Sequence, residues 1–137
     1  MPAIDQIEAE ICAEFGLFDQ WLDKYEYLIE LGKKLPPLAA QHRGDENLVP
    51  GCQSRVWLHA ELRDGRVFFA ADSEAVITKG IIALLIRVLS GQPAAAISST
   101  DLRFIETIGL REHLTPSRSN GLLSMVARIK AQARSLR

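Results

Sequence analysis

The stretch LVPGCQSRVW, residues 48–57, places a cysteine at a Pro-Gly corner, directly before a segment with the alternating pattern of a β-strand. Cysteine is among the most buried residue types and usually packs as a small apolar side chain. A turn exposes it instead, and a thiol with a pKa of about 8.5 has a small but strongly nucleophilic thiolate fraction at pH 7. Cys52 is therefore the first candidate for covalent chemistry, such as attack on sulfur carried by another protein. An incidental turn cysteine is the alternative.

The charged neighbours of Cys52 act on its pKa in opposite directions. Arg43 and Arg55 would lower the thiol pKa, whereas Asp45 and Glu46 would raise it. The sequence leaves the direction of the shift open.

Arg118 is the second candidate. Thr115-Pro116 predicts the start of a helix, with threonine as the N-cap and proline at the first helical position. A cation in the first turn opposes the helix dipole by up to about 1 kcal/mol. Arg118 is either a solvated surface residue or, together with free backbone N–H groups, it faces an anion or a thiolate.

Other kinds of site have less support. A cysteine protease would pair Cys52 with a histidine, but no such signature surrounds it and spacing assigns no partner. An iron–sulfur or zinc site needs about three or four thiolate or imidazole ligands, and Cys12 lies far along the chain, so we expect no metal. No glycine-rich loop supports nucleotide binding. The histidines considered as protease partners of Cys52 are His42, His59 and His113.

Composition limits the class of protein. The 137 residues, 47% hydrophobic, predict a single domain over 1–137. A net charge of -1 argues against nucleic acid or an anionic membrane as the main partner. No charged-then-apolar leader opens the sequence, so we expect a cytoplasmic protein with both cysteines reduced.

The hydrophobic pattern predicts an α+β fold, with helices first, a hairpin next and helices last. Apolar residues at helical spacing predict a first helix from Ile4 to Phe15, and Cys12 lies beside its apolar stripe. A second helix is expected from Asp19 to Gly32. Pro36-Pro37 ends it and opens a polar connection, AQHRGDENLVPG, long enough to be a working loop.

Strand and helix signals follow in quick succession. From Ser54 the side chains alternate with a period of two residues, as in a β-strand. One face carries Val56, Leu58, Ala60 and Leu62, and the other carries Arg55, Trp57, His59 and Glu61. Asp64-Gly65 predicts a tight hairpin, with Arg66 to Ala71 returning antiparallel. A core helix capped by Asp72 or Ser73 should follow, bear Val76 on its apolar face and stop at Gly91 and Pro93. A short helix ending at Gly109 and a terminal helix complete the expected elements.

Four blocks along the chain resemble the SufE family of sulfur-acceptor proteins. The active-loop block is Asn47-x-Val49-x-Gly51-Cys52-Gln53-Ser54-x-Val56-Trp57, and Gln53-Ser54 is more similar to SufE than to its paralogue CsdE. The other three are YLIELGKKLP, DSEAVITKGIIALL and HLTPSRSNGL, in order and at fitting separations. The resemblance covers nearly the whole chain.

The resemblance implies a sulfur carrier rather than an independent enzyme. Cys52 would accept persulfide sulfur from a pyridoxal-phosphate cysteine desulfurase, SufS-like or CsdA-like, stimulate it, and deliver the sulfur to iron–sulfur cluster assembly. The loop residues Val49, Gly51, Gln53 and Ser54 would support the acceptor, and the pyridoxal phosphate would belong to the partner. The implied fold is the small antiparallel sheet packed against helices of SufE and IscU, with a further strand near the polar loop.

Two alternatives and one hypothesis accompany this interpretation. An IscU-like scaffold would need several ligands converging on iron, and a binding module would activate the desulfurase without carrying sulfur. A carrier must shelter its persulfide and yet present it to two partners. We therefore expect the tip, Leu48 to Cys52, to tuck against apolar surface in the free protein and to swing outward on docking, with Gly51 taking most of the backbone change.

Overall fold

Helices surround a small antiparallel sheet in the computed structural model, which describes residues 2–136. The α+β prediction is therefore confirmed. Short 3₁₀ helices at Ala40–His42, Asp45–Asn47 and Arg111–His113 interrupt the connections. The helices are α1 (Ile4–Phe15), α2 (Trp21–Lys33), α3 (Val76–Leu89), α4 (Ala94–Ser99), α5 (Phe104–Thr107) and α6 (Pro116–Leu136), and the strands are β1 (Val56–Arg63), β2 (Arg66–Ser73) and β3 (Gln92–Pro93).

The hairpin forms where the Asp-Gly pair predicts it. Asp64 and Gly65 both have positive φ, +53° and +77°, which matches the twist of a two-residue hairpin turn. β1 and β2 pair antiparallel from Arg63–Arg66 next to the turn to Val56–Ser73 at the open end. The chain that carries Cys52 therefore enters the sheet at the end away from the turn.

The third strand lies elsewhere than expected. β3 is only two residues long and pairs with the start of β2. Near the polar loop, where the sequence suggested a further strand, the structure has a single isolated bridge between Leu48 and Trp57. This bridge continues the β1 edge just far enough to hold the cysteine loop.

Helix α3 is the centre of the hydrophobic core. It packs against β2 on one side and against α1, α2 and α6 on others. The approach to α2 is close: a Cβ on Gly80 would lie 2.3 Å from the Leu28 carbonyl oxygen, so only glycine allows this crossing. The buried residues of α3 are Thr78, Gly80, Ile81, Ile82, Leu84, Leu85, Val88 and Leu89.

One prediction about side-chain exposure was wrong, and a second position packs more deeply than strand alternation implies. Trp57, on the face of β1 opposite Val56, is only 7% exposed because the bridge to Leu48 and the Arg43 guanidinium, 5.1 Å from its ring centre, cover it. Val76, assigned to the apolar face of α3, is 59% exposed because it begins the helix outside the core.

The predicted cap of α3 was also wrong. The strand continues through Asp72 and Ser73, so the N-cap is Ala75, which makes no side-chain cap. Ser73 instead donates to the Arg55 carbonyl at 2.9 Å, and Asp72 pairs with Arg43 and Lys79. Asp72 and Ser73 therefore belong to β2, and the Asp72 carboxylate is used in ion pairs rather than in a helix cap.

The segment after α3 differs most from the sequence-based expectation. Helix α4, with a buried Ala94 and Ile97, was not predicted, because a short alanine-serine run has little periodic signal. The next helix is only one turn long, although it ends before Gly109 as expected. Thr115 and Pro116 begin α6 as predicted, and α6 turns Leu122, Met125 and Ile129 into the core.

No helix within residues 2–136 combines the length and apolar character needed to cross a membrane.

Candidate functional site

The loop that carries Cys52 is held against the sheet by two short-range contacts. The Val49 N–H donates to the Val56 carbonyl at 2.9 Å, and the bridge between Leu48 and Trp57 lies beside it. The Val49 side chain is buried in the core. The tip is therefore tucked in, as expected for the free protein.

Gly51 gives this loop its close fit to helix α6. Its φ is +84°, in the left-handed region that favours glycine. A Cβ at this position would lie 2.5 Å from the Ser124 hydroxyl oxygen, so a side chain would force the loop or the helix to move. The glycine thus permits both the turn and the contact.

Cys52 is half-buried behind that turn. Its Sγ donates a hydrogen bond to the Gly121 carbonyl oxygen of α6, at 3.6 Å. Burial raises the pKa of the Cys52 thiol above its ordinary value. The charged neighbours weighed from the sequence do not govern the shift, because Arg43 pairs with Asp72 and Arg55 pairs with Glu74. The resting cysteine is a neutral thiol.

A cavity of about 270 Å³ opens beside Cys52. Its walls are rich in hydroxyl groups. Its lining residues are Cys52, Gln53, Ser54, Thr78, Thr115, Ser117, Arg118, Gly121 and Met125.

Two helices begin at this cavity. Thr78 is the third residue of α3, and Thr115 is the residue before α6. The Thr115 hydroxyl accepts a hydrogen bond from the Arg118 N–H at 3.4 Å, which is the capping arrangement that the sequence predicted. Because the N-terminal end of a helix carries partial positive charge, both ends favour an anion in the space between them.

The predicted site residues come together around this cavity to different degrees. Gln53 and Ser54 line it directly, whereas Val49 and Gly51 shape the loop behind it. Arg118 lines it too, is exposed, and forms no ion pair with any residue from 2 to 136. A guanidinium in this position is available to an anion at the cavity mouth.

Sequence reasoning missed Thr78, Gly121 and Met125, which line the cavity from α3 and α6. No local signal marks them, because each lies on a helix far from Cys52 in sequence. The similarity to the SufE family runs through the segments that contain Thr78 and Gly121, and that was the only available pointer.

The second cysteine lies in different surroundings. Cys12 is in the last turn of α1 and lines a separate groove of about 840 Å³ with Glu8 and Phe104. Burial and the Glu8 carboxylate both raise the pKa of the Cys12 thiol. Glu8 itself accepts a hydrogen bond from the Phe104 N–H at 2.9 Å.

The histidines considered as partners for Cys52 pack elsewhere. His42 and His59 stack with ring centres 3.6 Å apart, and His113 stacks on Trp21 at 4.0 Å. Across residues 2–136, no three His, Cys, Asp or Glu side chains are grouped so that they could hold a metal ion.

Fold and site together define a class: an α+β protein that presents one half-buried thiol from a glycine turn, next to a cavity suited to an anion. Comparison with known proteins identifies the family. Residues 9–133 match the SufE family, described as an Fe-S metabolism associated domain. The chain therefore belongs to the SufE family.

Individual relatives cover nearly all of the chain. An uncharacterized SufE-like protein of Rhizobium meliloti is 42% identical over 97% of this chain and 96% of its own length. One from Rhizobium etli is 42% identical over 98% of this chain and 91% of its own. The solution structure of a hypothetical protein from Thermus thermophilus has a TM-score of 0.78 and 26% identity, with 95% of each chain covered.

Proposed function

We propose that this protein is a sulfur carrier in which Cys52 accepts sulfur from a cysteine desulfurase and passes it on to iron–sulfur cluster assembly. The observation that carries the proposal is the position of Cys52, a half-buried thiol at a cavity where α3 and α6 begin. Membership of a family associated with Fe-S metabolism supports delivery of the sulfur to iron–sulfur cluster assembly.

The chemistry is one displacement at sulfur. The Cys52 thiolate attacks the outer sulfur of the desulfurase persulfide, a new S–S bond forms, and the S–S bond of the donor breaks. The donor cysteine leaves as a thiolate with the bonding electron pair, and the proton lost by Cys52 goes to water or to that thiolate. Sulfur changes carrier without net oxidation or reduction, so this protein supplies a nucleophile and needs no cofactor of its own.

The resting state protects this nucleophile. Because burial raises the pKa of the Cys52 thiol and the thiol donates to Gly121, the free protein presents little thiolate to oxidants. Transfer requires the tip, Leu48 to Cys52, to leave α6. We expect Gly51 to take most of that backbone change, since glycine has φ +84° here and can adopt φ values of either sign at little cost.

The partner supplies the rest of the reaction. A pyridoxal-phosphate desulfurase of the SufS or CsdA kind would generate the persulfide and be stimulated by removal of its sulfur. This protein would act as co-substrate and activator without independent turnover, and its free thiols suit the reducing cytoplasm.

Intact-mass analysis after mixing the protein with desulfurase and cysteine tests the proposal. We expect an adduct of +32 Da, one sulfur atom, that peptide mapping locates on Cys52. An adduct found on Cys12 alone would reject the assignment of the acceptor.

Hydrogen exchange across residues 44–54 tests the movement of the loop. We expect protection of the Val49 N–H, which donates to Val56, to fall when the desulfurase docks. Unchanged protection would count against the proposed movement of the loop.

The two alternatives predict different results. A scaffold would yield a stoichiometric, coloured cluster on anaerobic reconstitution with iron and sulfide. A module that only activates the desulfurase would keep full stimulation in Cys52→Ser.

A further inference from the structure

The hydroxyl of Thr78 is the most unusual polar group at the Cys52 cavity. Thr78 is only 7% exposed, and its side chain lines the cavity from α3. Within residues 2–136 this hydroxyl has no hydrogen-bond partner, whereas the neighbouring Ser73 hydroxyl is used twice. Thr78 Oγ1 is not among the fully enclosed polar atoms that lack a partner, so solvent in the cavity reaches it, and an acceptor that enters the cavity can take the place of that water.

The position of Thr78 in its helix explains why the hydroxyl is available. A helical threonine commonly bonds the carbonyl four residues earlier, as Thr107 does with Arg103 at 3.0 Å. Four residues before Thr78 is Glu74, which precedes the first residue of α3. The usual helical acceptor is therefore missing, and the hydroxyl can donate to whatever occupies the cavity.

A sulfur atom added to Cys52 has reason to move toward this hydroxyl. The unloaded thiol donates to the Gly121 carbonyl, but an ionised persulfide has no S–H to donate, and the carbonyl oxygen repels its negative charge. The outer sulfur lies about 2 Å from Sγ. It therefore leaves the carbonyl for the hydroxyl-rich cavity between the N-terminal ends of α3 and α6.

We propose that Thr78 donates a hydrogen bond to the outer sulfur of the Cys52 persulfide and holds it as the anion. This contact rests on the carrier function proposed above. An anionic outer sulfur is a poor target for other thiolates, so the contact keeps the loaded sulfur from small thiols until the loop moves. Thr78 thus acts in the storage of sulfur rather than in its capture.

The test uses the full chain loaded with inorganic polysulfide, so that it does not depend on a desulfurase. Peptide mapping selects persulfide on Cys52 and separates it from Cys12. The pH dependence of alkylation of the outer sulfur by iodoacetamide gives the acidity of the persulfide. Reduction by glutathione gives its lifetime.

The variants differ only in the hydroxyl. In Thr78→Val we expect the midpoint of alkylation to rise by about one pH unit, a tenfold fall in the acid constant, with faster reduction by glutathione. Thr78→Ser keeps the hydroxyl and should behave as the parent. Thr107→Val, which removes a hydroxyl away from this cavity, should also match the parent.

Each contrary result has a definite meaning. An unchanged midpoint in Thr78→Val, an equal shift in Thr78→Ser or Thr107→Val, or failure of Cys52 to hold polysulfide sulfur would overturn the proposal. A further outcome is that the three variants behave as expected in polysulfide-loaded protein while a desulfurase never loads Cys52. That result would support the contact between Thr78 and the persulfide and would reject the proposed carrier function.

Discussion

The two cysteines of this chain are both half-buried thiols with a raised pKa, yet the groups around them differ. Cys52 lies near the N-terminal ends of α3 and α6, with hydroxyl groups and Arg118 around it. Cys12 lies in the last turn of α1, near the negative end of that helix, and faces the Glu8 carboxylate. Burial is common to both sites, but only the Cys52 site favours negative charge.

Burial of a thiol and the charge around it have separate effects at the two sites. Burial alone makes a thiol inert, and the Cys12 site adds a like charge that keeps it so. At Cys52 we propose that the same burial is reversible, because the thiol lies on a loop, directly after a glycine with positive φ, rather than inside a helix. A carrier requires this combination of a sheltered resting state and an anion-favouring cavity on a segment that can move.

Replacing each thiol in turn is the strongest test of this contrast. We expect Cys52→Ser to lose all sulfur acceptance from a desulfurase, because serine cannot form the S–S bond, and to lose stimulation with it. Cys12→Ser should accept sulfur at the parent rate. Alanine production by the desulfurase and the mass of the carrier report both effects. If Cys52→Ser accepted sulfur normally and Cys12→Ser did not, Cys12 would be the sulfur acceptor and Cys52 the inert thiol.

Removing the cation at the Cys52 cavity should have the next largest effect. We expect Arg118→Ala to slow sulfur transfer at least about tenfold, since a charged hydrogen bond to the anion is lost. Its free energy of unfolding should change by no more than about 0.5 kcal/mol, because Arg118 is exposed.

Arg134 provides the matched control for Arg118, as an exposed arginine in the last turn of the same helix. Arg134→Ala should transfer sulfur normally. A parent-like rate in Arg118→Ala would show that Arg118 is a solvated surface residue. Lost stability with normal transfer per folded molecule would likewise reject its functional role.

The glycine turn can be tested by filling the space beside it. We expect Gly51→Ala to cost about 1–3 kcal/mol, through strain at positive φ and contact with Ser124, and to raise the alkylation rate of Cys52 several-fold as the tip is displaced. Gly65→Ala has similar strain, φ +77°, but no atom within 4 Å of the new Cβ.

Gly65→Ala should therefore lose stability without exposing Cys52, and Cys12 should react as before in both variants. Denaturation midpoints and alkylation followed by peptide mapping give the two readouts. Equal alkylation of Cys52 in the two variants would mean that the contact with Ser124 does not hold the tip.

The smallest expected effect concerns the charge beside Cys12. Burial and, to a smaller extent, the Glu8 carboxylate raise the pKa of Cys12, so Glu8→Gln should lower that pKa while burial keeps it above the ordinary value. The pKa of Cys52 should not change, since burial alone raises it. The pH dependence of alkylation measures both thiols in one sample, and a matching fall at Cys52 would show that the two sites are coupled.

Local sequence was sufficient for the features that depend on backbone preference and short spacing. The Asp64-Gly65 turn, the start of α6 at Pro116, the bounds of α1 and the exceptional position of Cys52 at a corner all follow from neighbouring residues. Each is determined over a few residues, where φ preferences and apolar periodicity act directly.

Tertiary packing alone decided how the site works. The direction of the Cys52 pKa shift comes from burial against α6, because the arginines nearby in sequence pair with carboxylates elsewhere. Thr78 and Gly121 share a cavity with the thiol only because α3 and α6 begin there. The sequence by itself determined which residue could be the nucleophile. The fold decided its protonation and its neighbours, because burial and hydrogen bonding depend on segments that are distant in the chain.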